Sequence, residues 1–455
     1  MKKYHRFLSL LLLIPMLACL LPAPAAALDD PVVYCTNALL LDSTHDEVLY
    51  DKAGSEKAYP ASLTKVLTAL LVMEAIESGQ LSADTSVTAG ETAYQGWMDG
   101  ASTANIKVGE VLTVEELLYC LLLPSANEAA NILAVAVDGT IEDFVAHMNR
   151  RAGELGCQGT HFANPHGLHN DDHYTTAYDL ALIMEAALEY DLFRTIIATA
   201  VHTVPATNLS EERLFYNSNG LISNYWYSGY VYSKCIGGKT GTTEEAGRCL
   251  LSAAEDGDTL LISVILGSGP VEVPGRDDLA QGQLISSSNL LEWGFDNFEQ
   301  VTLTQEDTPV AQVSVTMSRQ TDSVMVKPQG SVTLTLPKDL DVEAVETNIS
   351  LFSQEVEAPV QEGEVLGTMT LSYEGELLGS LDLVAVTSVE RSDLLYKKSQ
   401  FISFFQTWWV RLVLIAVILV AAFAAFQLLV LRKRRRYRAG AGSGHRRGSY
   451  RGRRR

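Results

Sequence analysis

Cationic residues are scarce over most of this chain. Of its 34 Lys and Arg, 16 lie in the first 27 residues or beyond position 407; the stretch between carries 18, against all 55 Asp and Glu, for a net charge of −37. A surface that acidic excludes non-specific binding to nucleic acid or anionic lipid. Cysteine is scarcer still, 6 in 455 residues. Cys35, Cys120, Cys157, Cys235 and Cys249 are odd in number and show no paired spacing, which excludes a disulfide framework and a cysteine zinc site. They read as small core residues. No internal repeat is present.

Long apolar runs are confined to the two ends. Lys2, Lys3 and Arg6 precede an apolar stretch, Phe7 to Leu21, and a small-residue site at Ala25-Ala26-Ala27. This is the pattern of a secretory signal peptide cut after Ala27, residues 1–27, and it is short for a permanent anchor. Cys19 raises a lipoprotein alternative, but Met16 stands where leucine is usual. Residues 408–431 are apolar apart from Arg411 and Gln427, long enough to span a bilayer as a helix. Trp408 and Trp409 suit the interface, and Arg411 is near enough to the end to snorkel. Residues 432–455 hold twelve Arg or Lys and no acid, so the expected topology is a single-pass anchor with a cytoplasmic C-terminus and an extracytoplasmic bulk.

Between the ends, the pattern predicts two domains. In residues 28–299, "VVYCTNALLLD" and "EVLYDK" read as strands joined by "STHD", and Leu63, Val66, Leu67, Leu70 and Leu71 repeat at helical spacing up to Gly79. Thr113 and Glu116 have capping-box spacing, and the helix they open is broken by Pro124 before "ANEAANILAVAV" resumes to Gly139. "YVYSKCIGGKTGTT" and "GRCLLSAAEDGDTLLISVILG" read as antiparallel strands turning at "EDGD", and "SSSNLLEWGFDNF" as a closing helix. Residues 300–390 alternate in short runs such as "QVSVTM" and "SVTLTL", the pattern of a small β-domain, with 391–407 as a linker.

The chemistry is concentrated in three short stretches. In "PASLTKVLTALL", Ser62 and Lys65 are three apart at a helix start, so the two side chains share one face. A serine hydroxyl needs a base within hydrogen-bond reach. Burial and the positive N-terminal field of the helix both favour a neutral amine, the form able to take a proton. A capping serine beside a solvated lysine is the bland alternative. In "PSANEAA", Pro124 places Ser125 and Asn127 at an interruption between helices; an N-cap role for Ser125 is the alternative. In "GGKTGTT", Lys239, Thr240 and Gly241 lie on a strand, with Gly237 and Gly238 permitting close backbone approach to a ligand. An ordinary edge strand is the alternative there.

The three stretches, in this order, resemble the motif set of the penicillin-binding protein and serine β-lactamase superfamily. "HFANPHGLH", "LLEWGF" and "PVQEGEVLGTMTLSYEGELLGSLDLVA" narrow the resemblance to the low-molecular-mass D-alanyl-D-alanine carboxypeptidases over residues 29–390. It implies an α+β fold, an antiparallel sheet flanked by helices, with an appended β-domain. It implies removal of the terminal D-alanine from peptidoglycan stem peptides through an acyl-enzyme, covalent inhibition by β-lactams, and no metal or cofactor. Ser62 is then the nucleophile, Lys65 its base, and Ser125 a proton relay linked to Lys65 and Lys239. Asn127 holds the substrate amide, and Lys239, Thr240 and Arg276 face its carboxylate. The backbone N–H groups of Ser62 and Thr242 form an oxyanion hole. His161, His166 and His169 belong to a structural loop in this family. Ala126 and the lack of an E-x-x-L-N segment between the second and third motifs set the chain apart from class A β-lactamases. A D,D-endopeptidase and a non-catalytic wall-binding protein are the rival readings. Thr242 and Thr243 stand where close relatives often carry His or Tyr, which puts substrate preference in doubt.

Overall fold

The structure, a computed structural model, describes residues 28–275 and 278–435, and the backbone to 440. The chain divides into two compact units, residues 1–301 with 333–340, and residues 302–332 with 341–455.

The first unit is built on a five-stranded antiparallel sheet. Its strands are β1 (Asn37–Asp42), β2 (Glu47–Lys52), β3 (Cys235–Thr243), β4 (Gly247–Asp256) and β5 (Thr259–Ser268), in the order β2-β1-β5-β4-β3. Every residue of β1 is buried, because both faces of the sheet are covered. Leu39 and Leu41 point into a large helical cluster, and Ala38 and Leu40 into a second core closed by Leu290, Leu291 and Phe295 of a C-terminal helix, Gly282–Asn297. The "EDGD" turn is a two-residue loop between paired Asp256 and Thr259, with Gly257 at φ +60°.

The first face is covered by α1 (Lys65–Glu77), α2 (Val114–Leu122), α3 (Asn127–Asp138), α4 (Ile141–Glu154), α5 (Ala177–Leu188) and α6 (Asp191–Ala198). Helix α1 is buried on nearly all sides, as its unbroken apolar run requires. The capping box of α2 forms as the spacing predicts: Glu116 N donates to Thr113 Oγ1 (3.1 Å) and Thr113 N to Glu116 Oε2 (2.8 Å). Cys120, Cys235 and Cys249 are buried, and the five described cysteines are free thiols.

Residues 333–340 belong to the first unit, which a boundary at 299/300 does not anticipate. Thr335 donates its hydroxyl to buried Asp42, and Lys338 holds the Phe295 carbonyl (2.8 Å), so this stretch is fixed by polar contacts that alternation does not reveal.

The second unit holds a six-stranded sheet. In chain order the strands are β6 (Ala311–Thr316), β7 (Ser323–Pro328), β8 (Glu346–Leu351), β9 (Glu355–Glu357), β10 (Val365–Tyr373) and β11 (Glu376–Ala385), arranged β8-β10-β11-β7-β6-β9. Val313, Val315, Val324, Val326 and Leu383 form its core. The expected linker is instead helical over Asp393–Gln406; aromatic and charged residues at helical spacing carry it until Thr407. A second helix follows, Trp408–Gly440, and its 408–435 portion is long and apolar enough to cross a membrane, its most apolar 18-residue window having mean hydropathy 2.9. Residues 1–27, the expected signal peptide, and residues 441–455 of the basic tail lie outside the described residues.

Candidate active site

Ser62 sits in a single 3₁₀ turn, Ala61–Thr64, not in the α-helix itself, which begins at Lys65. Three residues make one 3₁₀ turn, so the side chains at 62 and 65 eclipse. The entry is tight: Ala61 adopts φ +47°, a conformation uncommon for a residue with a Cβ. Lys65 is wholly buried, and its Nζ lies 2.9 Å from Ser62 Oγ, 2.7 Å from Asn127 Oδ1 and 2.6 Å from the His166 carbonyl oxygen. The last two can only accept. A neutral amine gives its two N–H bonds to them and turns its lone pair to the serine hydroxyl. Burial holds the Lys65 amine well below its usual range; the positive charge of Lys239 pushes the same way, and Glu128 opposes both.

The second stretch is also strained. Ser125 takes φ +67° after Pro124, Ala126 is the N-cap, and α3 starts at Asn127. The Ser125 hydroxyl is therefore not a helix cap. The residue is 6 % exposed, and its buried hydroxyl has no hydrogen-bond partner. The expected link to both lysines is absent from the hydrogen bonds of this structure: Lys65 is committed to three other groups, and Lys239 Nζ donates to the Thr240 carbonyl (2.9 Å). Asn127, expected to hold substrate, spends its Oδ1 on Lys65 and keeps Nδ2 for another acceptor.

The third stretch lies on β3, the edge strand that runs beside the Ser62 turn. A Cβ built on Gly241 would lie 3.0 Å from both Ser62 N and the Pro60 carbonyl oxygen, so strand and turn are at the limit of approach. Gly237 and Gly238 were expected to admit a ligand. They serve packing instead: at φ +144° and +153°, a Cβ would strike Ile197 of α6 from the first and the β4 backbone at Leu251 from the second. Lys239 is 1 % exposed, and burial pushes its amine down to about 7. Thr240 Oγ1 pairs with Ser218 Oγ at 2.6 Å, while exposed Thr242 turns its hydroxyl to the Gly241 carbonyl (2.7 Å). Arg276 lies outside the described residues.

Several supporting groups carry no signal in the motifs. His166 contributes a backbone oxygen. Its loop is pinned by His173, whose Nδ1 accepts from Ala163 N (2.9 Å) and whose Nε2 then donates to Thr64 Oγ1 (2.7 Å). Burial holds both imidazoles neutral, down to about 3. Buried Glu128 accepts from Thr103 Oγ1 (2.6 Å) and Ala104 N (2.7 Å), tying the 101–106 segment to α3. An acid in a first helical turn is so ordinary that its sequence position says nothing of this.

A sheet between helix layers, with a half-buried serine against a buried lysine, defines a hydrolase of the serine acyl-transfer class. Comparison with known proteins narrows this. Residues 25–269 match the family described as D-alanyl-D-alanine carboxypeptidase, and residues 298–391 match the C-terminal domain of penicillin-binding protein 5. The D-alanyl-D-alanine carboxypeptidase DacF of Bacillus subtilis is 30 % identical over 404 residues, 88 % of this chain and 96 % of its own length; DacC of Escherichia coli is 28 % identical over 85 % and 92 %. Among solved structures, penicillin-binding protein 5 from Haemophilus influenzae is 26 % identical at a TM-score of 0.65, covering 80 % of this chain and 100 % of its own. The chain belongs to the D-alanyl-D-alanine carboxypeptidase family and has its fold, catalytic and C-terminal domains together.

Proposed function

We propose that the chain is a serine-type carboxypeptidase that removes the terminal D-alanine from peptidoglycan stem pentapeptides and is acylated by β-lactams. The observation that carries this is the wholly buried Lys65 amine 2.9 Å from Ser62 Oγ, with its other two neighbours both acceptors. Neutral Lys65 takes the proton as Ser62 Oγ attacks the penultimate carbonyl. The N–H groups of Ser62 and Thr242 receive the oxyanion, where a donor is worth about 3–4 kcal/mol. Lys239 and Thr240 hold the terminal carboxylate, with Arg276 as a further candidate, and Asn127 Nδ2 meets the substrate amide. Ser125 gives its hydroxyl proton to the leaving amine and regains one from Lys65, and its lack of a competing partner leaves the hydroxyl available for that step. Water then hydrolyses the acyl-enzyme. The signal segment, the apolar C-terminal helix and the basic tail support a single-pass protein with its site outside the membrane.

Labelling with fluorescent penicillin tests the mechanism. The native protein should label covalently and Ser62→Ala should not; an unlabelled native protein, or equal labelling of both, refutes it. Digestion of muropeptides, read by mass, separates the endopeptidase rival: loss of one alanine from pentapeptides against cleavage of dimers.

A further inference from the structure

Residues 214–233 differ from the acidic chain around them: they include no charged residue and seven aromatic ones. They link the strand Arg213–Tyr216 to β3 and pass the serine cluster at Ser218. Ser218 N donates to the Leu123 carbonyl (3.2 Å), and its Oγ pairs with Thr240. Aromatic residues in a loop ordinarily anchor it, and three here do. Tyr227, Tyr230 and Tyr232 pack on the second core, and Gln281 N donates to Tyr230 Oη (3.0 Å). Tyr225 and Trp226 join neither core and are 56 % and 61 % exposed. Both are nonetheless held. The Tyr225 ring stacks on Tyr216, centroids 3.5 Å and planes 4° apart, and the Trp226 indole stands at 89° to it. Gly229 N donates to Asn224 Oδ1 (3.1 Å), closing the turn that carries the two rings. Two exposed aromatic planes therefore meet in a fixed corner.

The surrounding charges argue against an ionic occupant. Arg213 is paired with buried Glu110 (2.6 Å) and Lys234 with Asp256 (2.6 Å), so the flanking cations are engaged. Exposed Glu211 and Glu212 repel an anionic lipid surface. Flat rings among Ser, Asn and Tyr suit a neutral ring with an apolar face and a polar edge. The C–H face of a pyranose carries partial positive charge and meets the negative face of an aromatic ring, while its hydroxyl and acetamido groups stay at the rim. We propose that Tyr225 and Trp226, backed by Tyr216, form a subsite for the neutral N-acetylated sugar rings of the glycan that bears the stem peptide. The choice of a glycan rests on the carboxypeptidase reading. Two residues of extended chain span about 7 Å, so Tyr216 lies near Ser218 and hence near Thr240, where that reading puts the terminal carboxylate. A five-residue stem reaches at most about 17 Å, so its own glycan can fold back to the corner while the peptide lies in the cleft.

The test uses the full-length protein in a detergent without a sugar headgroup. Loss of D-alanine is compared between a disaccharide-pentapeptide and the same pentapeptide without sugar. The sugar-bearing substrate should have the higher kcat/KM by about three- to tenfold, and in Tyr225→Ala/Trp226→Ala the ratio should fall to about one. Trp226→Phe keeps a ring and should recover part of it. Binding of chitotetraose to the Ser62→Ala chain, followed by tryptophan fluorescence and calorimetry, reads the same corner without turnover and should weaken about tenfold or more when both rings are removed. A wild type that cleaves both substrates equally, or a double variant that binds chitotetraose as well as its parent, overturns the subsite. So does a protein that ignores the sugar but self-associates in sedimentation through these two rings. If neither substrate loses alanine but chitotetraose binding is present and depends on the rings, the carboxypeptidase reading falls and the sugar subsite stands.

Discussion

Lys65 Nζ has no solvent-accessible surface and three polar neighbours, so what it touches decides whether it carries a proton. The serine and lysine were legible in the sequence because three-residue spacing fixes a shared face in any helical turn. The His166 oxygen was not, since a backbone carbonyl has no residue type to read. Ser218 and Glu128 were hidden because such residues are common in turns and at helix starts. Ser125 was expected in the site from its motif alone, and its geometry, which depends on a left-handed φ that serine seldom adopts, was not legible. The two lysines predict the pH profile. On the proposed mechanism catalysis needs Lys65 neutral, so kcat/KM should fall in acid as Lys65 is protonated. On the same mechanism carboxylate binding needs Lys239 charged. Its free-enzyme value is lowered to about 7, so the charge is present below that pH and lost above it. The alkaline limb of kcat/KM should therefore begin near pH 7, far below the usual lysine range. Lys239→Arg keeps its charge at every accessible pH and should remove that limb, whatever it does to the rate. An alkaline limb unchanged in the variant would assign the titration elsewhere.

Among elements, the 3₁₀ turn at Ala61–Thr64 depends on the loop behind it. Thr64 Oγ1 donates to the Ala61 carbonyl (2.9 Å) and receives His173, so the loop of residues 161–173 clamps the nucleophile's turn. The sequence located the sheet strands, α1 and the α2 cap well, because each rests on local periodicity or cap spacing. It assigned the glycines of "GGKTGTT" to the wrong task, since which neighbour crowds a glycine is a tertiary fact. Gly167 is the sharpest case. It sits at φ +86°, and a Cβ there would run straight into the Ala61 carbonyl oxygen. Gly167→Ala carries both a left-handed penalty and a backbone collision, which together should cost about 2–4 kcal/mol of stability. The loop cannot yield without moving the His166 carbonyl off Lys65, so penicillin acylation should slow by about tenfold or more in whatever protein still folds. Thermal unfolding and the acylation rate read the two effects separately. A variant that melts early but acylates at the native rate would show that the clamp stabilises the domain without positioning the lysine.

On the scale of the whole molecule, composition spoke more plainly than motif. The tail of twelve cations behind an apolar run is what the expected orientation rests on. The helix over Asp393–Gln406 was missed because its pattern is mixed: Phe401, Phe404 and Phe405 are exposed together, yet Lys397 and Lys398 interrupt the apolar surface. The following helix exposes Leu412, Val413, Leu414 and Ile415, four consecutive residues that go round the whole helix, and no residue of its most apolar 18-residue window is buried. An apolar helix of this length with no protein against it is stable only in a bilayer. Ending the chain at Thr407 should therefore change how the protein is held. The full-length chain should remain in the membrane pellet through high salt and alkaline carbonate and leave only with detergent. The shortened chain should come away with salt or carbonate, any residual attachment being the weaker kind that exposed phenylalanines on a surface-lying helix provide. Penicillin labelling should be as fast in both, because Ser62, Lys65, Asn127 and Lys239 all lie within residues 1–301. A shortened chain that still resists carbonate would place the anchor elsewhere in the sequence and remove the basis for the topology.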